Sequence, residues 1–230
     1  MDPFDQNMIQ NIFQNVTRYG EVSEFTKSVN KLKNRDQHTL SSLARYLVCD
    51  NRDDMMQILI DDFGFELTDN FMKENITMIV TRPKMRQYIN GLTGKDIIEL
   101  LDNDSIRTAF KGAFWNADEE LMVKLINFGF DINSLSYSDK KDIIERIPYY
   151  DTFKFIVENG FSLEFVDENI LERIVREKNL ELLELLVAFG VNINLLNNLK
   201  ISEKCSKIYN FLTDTDVDPR IIAYLFYKDY

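Results

Sequence analysis

The side chains able to do chemistry are few, and their spacing argues against most of it. His38 is the only histidine. One imidazole cannot supply two ligands to a zinc site, and it would have to carry any nucleophile–His–acid arrangement alone. Cys49 and Cys205 stand far apart with no CxxC pair. They read as small buried hydrophobes of a reduced, intracellular protein. Asp214-Thr215-Asp216-Val217-Asp218 alternates aspartates like the start of a calcium loop. Such a loop needs Gly at its sixth position and Glu at its twelfth, where this chain has Pro219 and Leu225. The stretch reads as a turn, with Asp218 as N-cap and Pro219 in the first helical position. Gly91-Leu92-Thr93-Gly94-Lys95-Asp96 carries the glycines and lysine of a phosphate loop at the wrong spacing. Asp96 stands where a magnesium-binding hydroxyl belongs, and no strand precedes it, so it reads as a turn and an N-cap. The acidic pairs Asp53-Asp54 and Glu119-Glu120 fall where helices are expected to start, and there the helix dipole favours them. The expectation is a chain with no catalytic residue, no cofactor and no metal.

The elements that would position any site are helical. The 230 residues are 45% hydrophobic, with 8 Gly and 4 Pro, enough apolar surface for a core and too few turn residues for a sheet sandwich. The net charge of −11 lacks the basic excess of a nucleic-acid-binding surface. Lys27, Lys31, Lys33 and Arg35 form the most basic stretch and read as a solvated helix end. Met1-Asp2-Pro3-Phe4-Asp5-Gln6 has neither the basic nor the apolar region of a signal peptide. No apolar run approaches the roughly 18 residues of a membrane span. A cytoplasmic protein is expected, and the sequons at Asn15, Asn75 and Asn103 read as coincidental.

A repeat organises the chain. Gly64, Gly129, Gly160 and Gly190 share one context, at spacings of 65, 31 and 30 residues. Four residues before each stands Ile60, Leu125, Ile156 or Leu186. One residue after stands Phe65, Phe130, Phe161 or Val191, and three after stands Leu67, Ile132, Leu163 or Ile193. An apolar helix ends, Gly turns the chain with positive φ, and apolar side chains seal the helix end. Each block follows a second helical face, as at Ile170, Leu171, Ile174 and Val175. A unit this short cannot bury its apolar face alone and must stack on its neighbours. The double spacing before Gly129 predicts one divergent unit, with helices near 70–80, 83–90, 96–101 and 105–114.

Gly129-Phe130-Asp131-Ile132-Asn133 and Gly190-Val191-Asn192-Ile193-Asn194 resemble the Gly-Ala-Asp-Val-Asn that follows the second helix of ankyrin repeats. Leu121–Ile126 and Leu182–Val187 resemble that second helix. The spacing of 30 to 31 is slightly short of the family's ~33. The Thr-Pro-Leu-His that opens a typical repeat is absent; His38-Thr39-Leu40 is only a faint echo. The loops are too short for full β-hairpin fingers. The fold class expected is all-α, a solenoid of stacked helix-turn-helix units, ankyrin-like, with reduced hairpin loops. Capping helices are expected over 1–36, divergent repeats over 37–198, and a C-terminal cap over 199–230. Proteins of this style expand in large DNA viruses and intracellular bacteria, which puts a host protein among the partners.

The resemblance implies a non-enzymatic protein-binding module. Aromatic residues at the turns are the candidates for contact, because Trp and Tyr are enriched at binding hot spots. They are Phe114 and Trp115 in one unit, Tyr149 and Tyr150 at the matching turn of the next, and Tyr137 between them in the inter-repeat loop. The alternative is a substrate-recruiting adaptor of a ubiquitin ligase, since Lys207-Ile208-Tyr209-Asn210-Phe211-Leu212 resembles a degenerate F-box.

Overall fold

The computed structural model describes residues 3–147, 149–177, 179–193 and 195. The expected C-terminal cap, the F-box-like stretch, Cys205, Pro148 and Asn194 lie outside the described residues. Every regular element among the described residues is a helix. The chain divides into two compact units, Met1–Phe130 and Asp131–Tyr230, inside the stretch read as repeats.

In the first unit, α1 (Pro3–Asn11) runs into a π-helical stretch, Ile12–Thr17, and α2 (Val22–Asn30) follows. Three helical hairpins come next: α3 (Gln37–Cys49) with α4 (Asp53–Asp61), α5 (Asp69–Val80) with α6 (Pro83–Thr93), and α7 (Asn103–Trp115) with α8 (Glu119–Asn127). First helices pack on first helices, α3 on α5 and α5 on α7; second helices do likewise, α2 on α4 and α4 on α6. The second unit holds two hairpins, α9 (Tyr137–Glu145) with α10 (Tyr150–Glu158) and α11 (Glu168–Arg176) with α12 (Leu180–Ala188). The helices expected at 70–80, 83–90 and 105–114 are α5, α6 and α7, while the one expected at 96–101 is a 3-10 turn, Ile97–Leu100.

The five first helices open on one device. Asp36, Thr68, Asp102, Ser136 and Asp167 each accept a hydrogen bond from the backbone N–H three residues on. The distances run from 2.7 Å at Ser105 to 3.2 Å at Phe71. A short oxygen-bearing side chain satisfies an N–H that a helix start leaves orphaned. These caps recur every 31 to 34 residues and hold the place of the missing tetrapeptide.

The second helices close on another. Gly64, Gly94, Gly129, Gly160 and Gly190 all have positive φ. An added Cβ at any of them would meet nothing within 4 Å, so backbone conformation and not space demands glycine. After α8, Gly129 N–H donates to Ile126 O at 2.9 Å and Phe130 N–H to Leu125 O at 3.0 Å. The same pair recurs at Gly160–Phe161 and Gly190–Val191, the double bond of a Schellman cap. Gly94 is the glycine of the divergent unit. Gly64 departs by one residue: Phe65 N–H reaches back to Leu59 O, so Leu59 and not Ile60 is the buried helix-end residue there.

Candidate protein-binding surfaces

Each inter-repeat loop is held at both ends, and side-chain amides tie consecutive loops together. In the first unit Gln37 Nε2 donates to Gly64 O at 2.7 Å while Glu66 N–H donates to Gln37 Oε1 at 3.0 Å. In the second unit Asn133 Nδ2 donates to Gly160 O at 2.9 Å, and Ser162 N–H donates to Asn133 Oδ1 at 2.8 Å. Both clasps address the same pair of backbone groups, the glycine carbonyl and the N–H two residues later. The loops are thereby fixed before any partner arrives, which lowers the ordering cost of binding.

In the first unit the aromatic turn lies at the end of α7. Phe114 is fully buried, its ring packed edge-on against Trp115 with centroids 5.1 Å apart. Phe114 therefore supports the turn from beneath, and half-buried Trp115 is the member that reaches solvent. The chain reverses through Ala117, whose φ is 52°. Asp118 then caps α8 through Leu121 N–H at 3.0 Å and accepts Arg86 Nη1 at 2.9 Å. Arg86 Nη1 also donates to Val80 O at 2.7 Å. Both side chains of this ion pair are less than a tenth exposed, at 7% and 9%. It locks the second hairpin to the third. Gly112 brings α7 close to the preceding hairpin: a Cβ there would sit 2.6 Å from Thr81 Cγ2.

In the second unit Tyr149 is 55% exposed and precedes α10 in extended backbone. Tyr150 is half-buried, and its hydroxyl donates to Asn179 Oδ1 at 2.8 Å. Asn179 in turn caps α12 through Leu182 N–H at 3.2 Å. Tyr150 thus does for this unit what Arg86 does for the first: it reaches from one second helix to the N-cap of the next. Tyr137 opens α9, is 51% exposed, and donates its hydroxyl to Asp167 Oδ2 at 3.0 Å. That bond to the carboxylate holds the phenol above its ordinary pKa. Asp167 feels burial pushing upward, but the N–H of Ile170 and the Tyr137 hydroxyl hold it below its ordinary value. Phe165 meets Tyr137 edge-on at 6.3 Å, and Lys140 lies over the Phe165 ring.

Of the five aromatic candidates, Trp115, Tyr137 and Tyr149 present surface, Phe114 is core, and Tyr150 bridges hairpins. Sequence reasoning missed Arg86–Asp118 and the amide clasps. Asp131-Ile132-Asn133 carried a signal for one clasp, since its asparagine sits four residues after the glycine. Among the described residues no three His, Cys, Asp or Glu side chains are grouped to hold a metal. No helix among them is long and apolar enough to cross a membrane.

No model of a known family matches the chain, and no solved structure matches it. Two ankyrin repeat proteins of Acanthamoeba polyphaga mimivirus are similar. One is 23% identical over 108 residues, covering 46% of this chain and 36% of the relative. The other is 30% identical over 104 residues, covering 41% and 33%. The chain spans about a third of the length of these curated relatives. In sequence over these stretches and in its glycine-closed helical hairpins, the chain is similar to ankyrin repeat proteins.

Proposed function

We propose that the chain is a non-enzymatic protein-binding module, and that the turns between first and second helices carry its contacts. The observation behind this is a set of aromatic side chains reaching solvent at turns that neighbouring bonds hold: the Asp118 cap and its Arg86 ion pair beside Trp115, and the Tyr150–Asn179 hydrogen bond beside Tyr149. Trp115 rests on buried Phe114, and Tyr149 stands beside Tyr150, which is fixed to Asn179. Aromatic side chains on a preorganised base lose little entropy when a partner covers them. Both relatives are viral proteins, which supports a partner drawn from an infected cell, met in its cytoplasm.

The test is affinity purification from host-cell lysate with the native chain, a Trp115→Ala chain and a Tyr149→Ala chain. One partner kept by the native protein should be weakened by one of the two changes. A hot-spot residue costs about 2 kcal/mol on truncation, about thirtyfold in Kd. Equal retention by all three chains would move the contact surface elsewhere. No retained protein at all would argue against the reading.

A further inference from the structure

The divergent second repeat carries a groove unlike the turns above. Its α6 has 11 residues, two more than the second helix of any other repeat. After Gly94 the chain folds back through the 3-10 turn and leaves a groove of about 560 Å³ against α5. Leu67, Met72, Ile76, Ile97 and Leu100 line it. Met72, Ile76 and Ile97 are buried, yet Leu100 is 56% exposed, an apolar wall standing in water. Lys73 and Lys95 lie on the lining with one carboxylate, Asp69, which sits in the first turn of α5 where the helix dipole favours it. In a chain of net charge −11 this is a locally cationic, apolar surface.

We propose that this groove docks a short amphipathic segment of the partner protein, with two apolar side chains one helical turn apart and a carboxylate beside them. The reading rests on the binding function above and adds to the turns a second contact site and the chemistry it takes. The volume lies within the ~300–1,000 Å³ of ordinary ligand pockets, but such pockets cover most of a small ligand's surface. A wall as exposed as Leu100 leaves one side open, which suits a helix whose outer face stays solvated. Lys73 and Lys95 form no ion pair with any described residue, so both are available to a partner's carboxylate.

The experiment uses the full chain as bait for a displayed library of random 16-residue peptides. Enriched peptides are then measured against the native chain, Leu100→Asp, and Lys73→Glu with Lys95→Glu. All three substituted positions are exposed, so folding is checked by circular dichroism and retained. The expected result is a consensus of apolar residues three or four apart flanked by Asp or Glu. Binding should fall at least about tenfold in both variants, and the double Lys→Glu chain should instead select Lys- or Arg-flanked peptides. Peptides that bind all three chains equally but lose affinity to Trp115→Ala would overturn the groove and keep the binding function. Failure to enrich any peptide, beside a partner captured from lysate, would also overturn the groove. Failure of both would remove the binding function itself.

Discussion

Two side chains decide how the second and third repeats hold together. Arg86 and Asp118 are charged, nearly buried, and among the described residues each is the other's only carboxylate–guanidinium partner. Such a pair adds little against an apolar replacement, but breaking it strands a charge at a cost of about 3–5 kcal/mol. Asp118→Ala should therefore lose about 3 kcal/mol or more by urea denaturation, including the lost cap on α8. Arg86→Met combined with Asp118→Asn should recover most of that loss, because no charge is stranded and Asn still caps. A double variant as unstable as Asp118→Ala would refute the stranded-charge account. Gly112 makes a steric claim instead. Gly112→Ala should cost about 1–3 kcal/mol, because the new methyl would sit 2.6 Å from Thr81 Cγ2. Thr81→Ser removes that methyl and keeps the hydroxyl that donates to Met78 O. Adding it should restore the thermal midpoint, and no rescue would place the strain elsewhere.

The helix starts predict a response to acid. Asp36 is held below its ordinary value of 3.8 chiefly by the N–H of Thr39, and Asp102 chiefly by Ser105. Asp167 is held low by Ile170 and Tyr137 against the burial that opposes them. A carboxyl more acidic in the folded than in the unfolded state stabilises the fold above its unfolded pKa, and that stability is lost as pH falls through the folded value. Thermal midpoints should thus drop as pH falls below about 4. A chain carrying Asp36→Asn, Asp102→Asn and Asp167→Asn should drop less over the same range, since Asn caps without titrating. Identical pH profiles would show that other carboxylates set acid sensitivity. At this scale the sequence was readable wherever one signal stood alone. Apolar residues around Gly64, Gly129, Gly160 and Gly190 marked four helix ends, the first of them one residue out of step. Gly94 escaped because Lys95 follows it in place of Phe or Val, although Ile97 kept the buried third position. The N-caps escaped because five positions use three residue types, Asp, Ser and Thr, so no motif repeats although the hydrogen bond does. Phe114 was legible as core: Ile106, Phe110, Ala113 and Phe114 form one helical stripe, and all four are buried.

At the scale of the molecule, sequence period and stacking distance are the same thing. Gln37, Tyr137 and Tyr150 each bond to a residue 27 to 30 positions further on. Removing a clasp should loosen a loop without unfolding the chain: Asn133→Ala should speed amide exchange at Ser162, with a stability loss near 1 kcal/mol. Unchanged exchange at Ser162 would mean the loop is held by other contacts. Patterns confined to one hairpin could be read from the string. Arg86–Asp118 could not, because it requires knowing which faces of two successive repeats meet. The same short reach also sets a clock for biogenesis. At about 5–20 residues per second, the residue that closes a Gln37 or Asn133 clasp leaves the peptidyl-transferase centre about one to six seconds after the amide that holds it. Within each unit a hairpin can then be fastened to the one before it while the remainder of the chain is still being translated, and no contact described here has to wait for a distant segment.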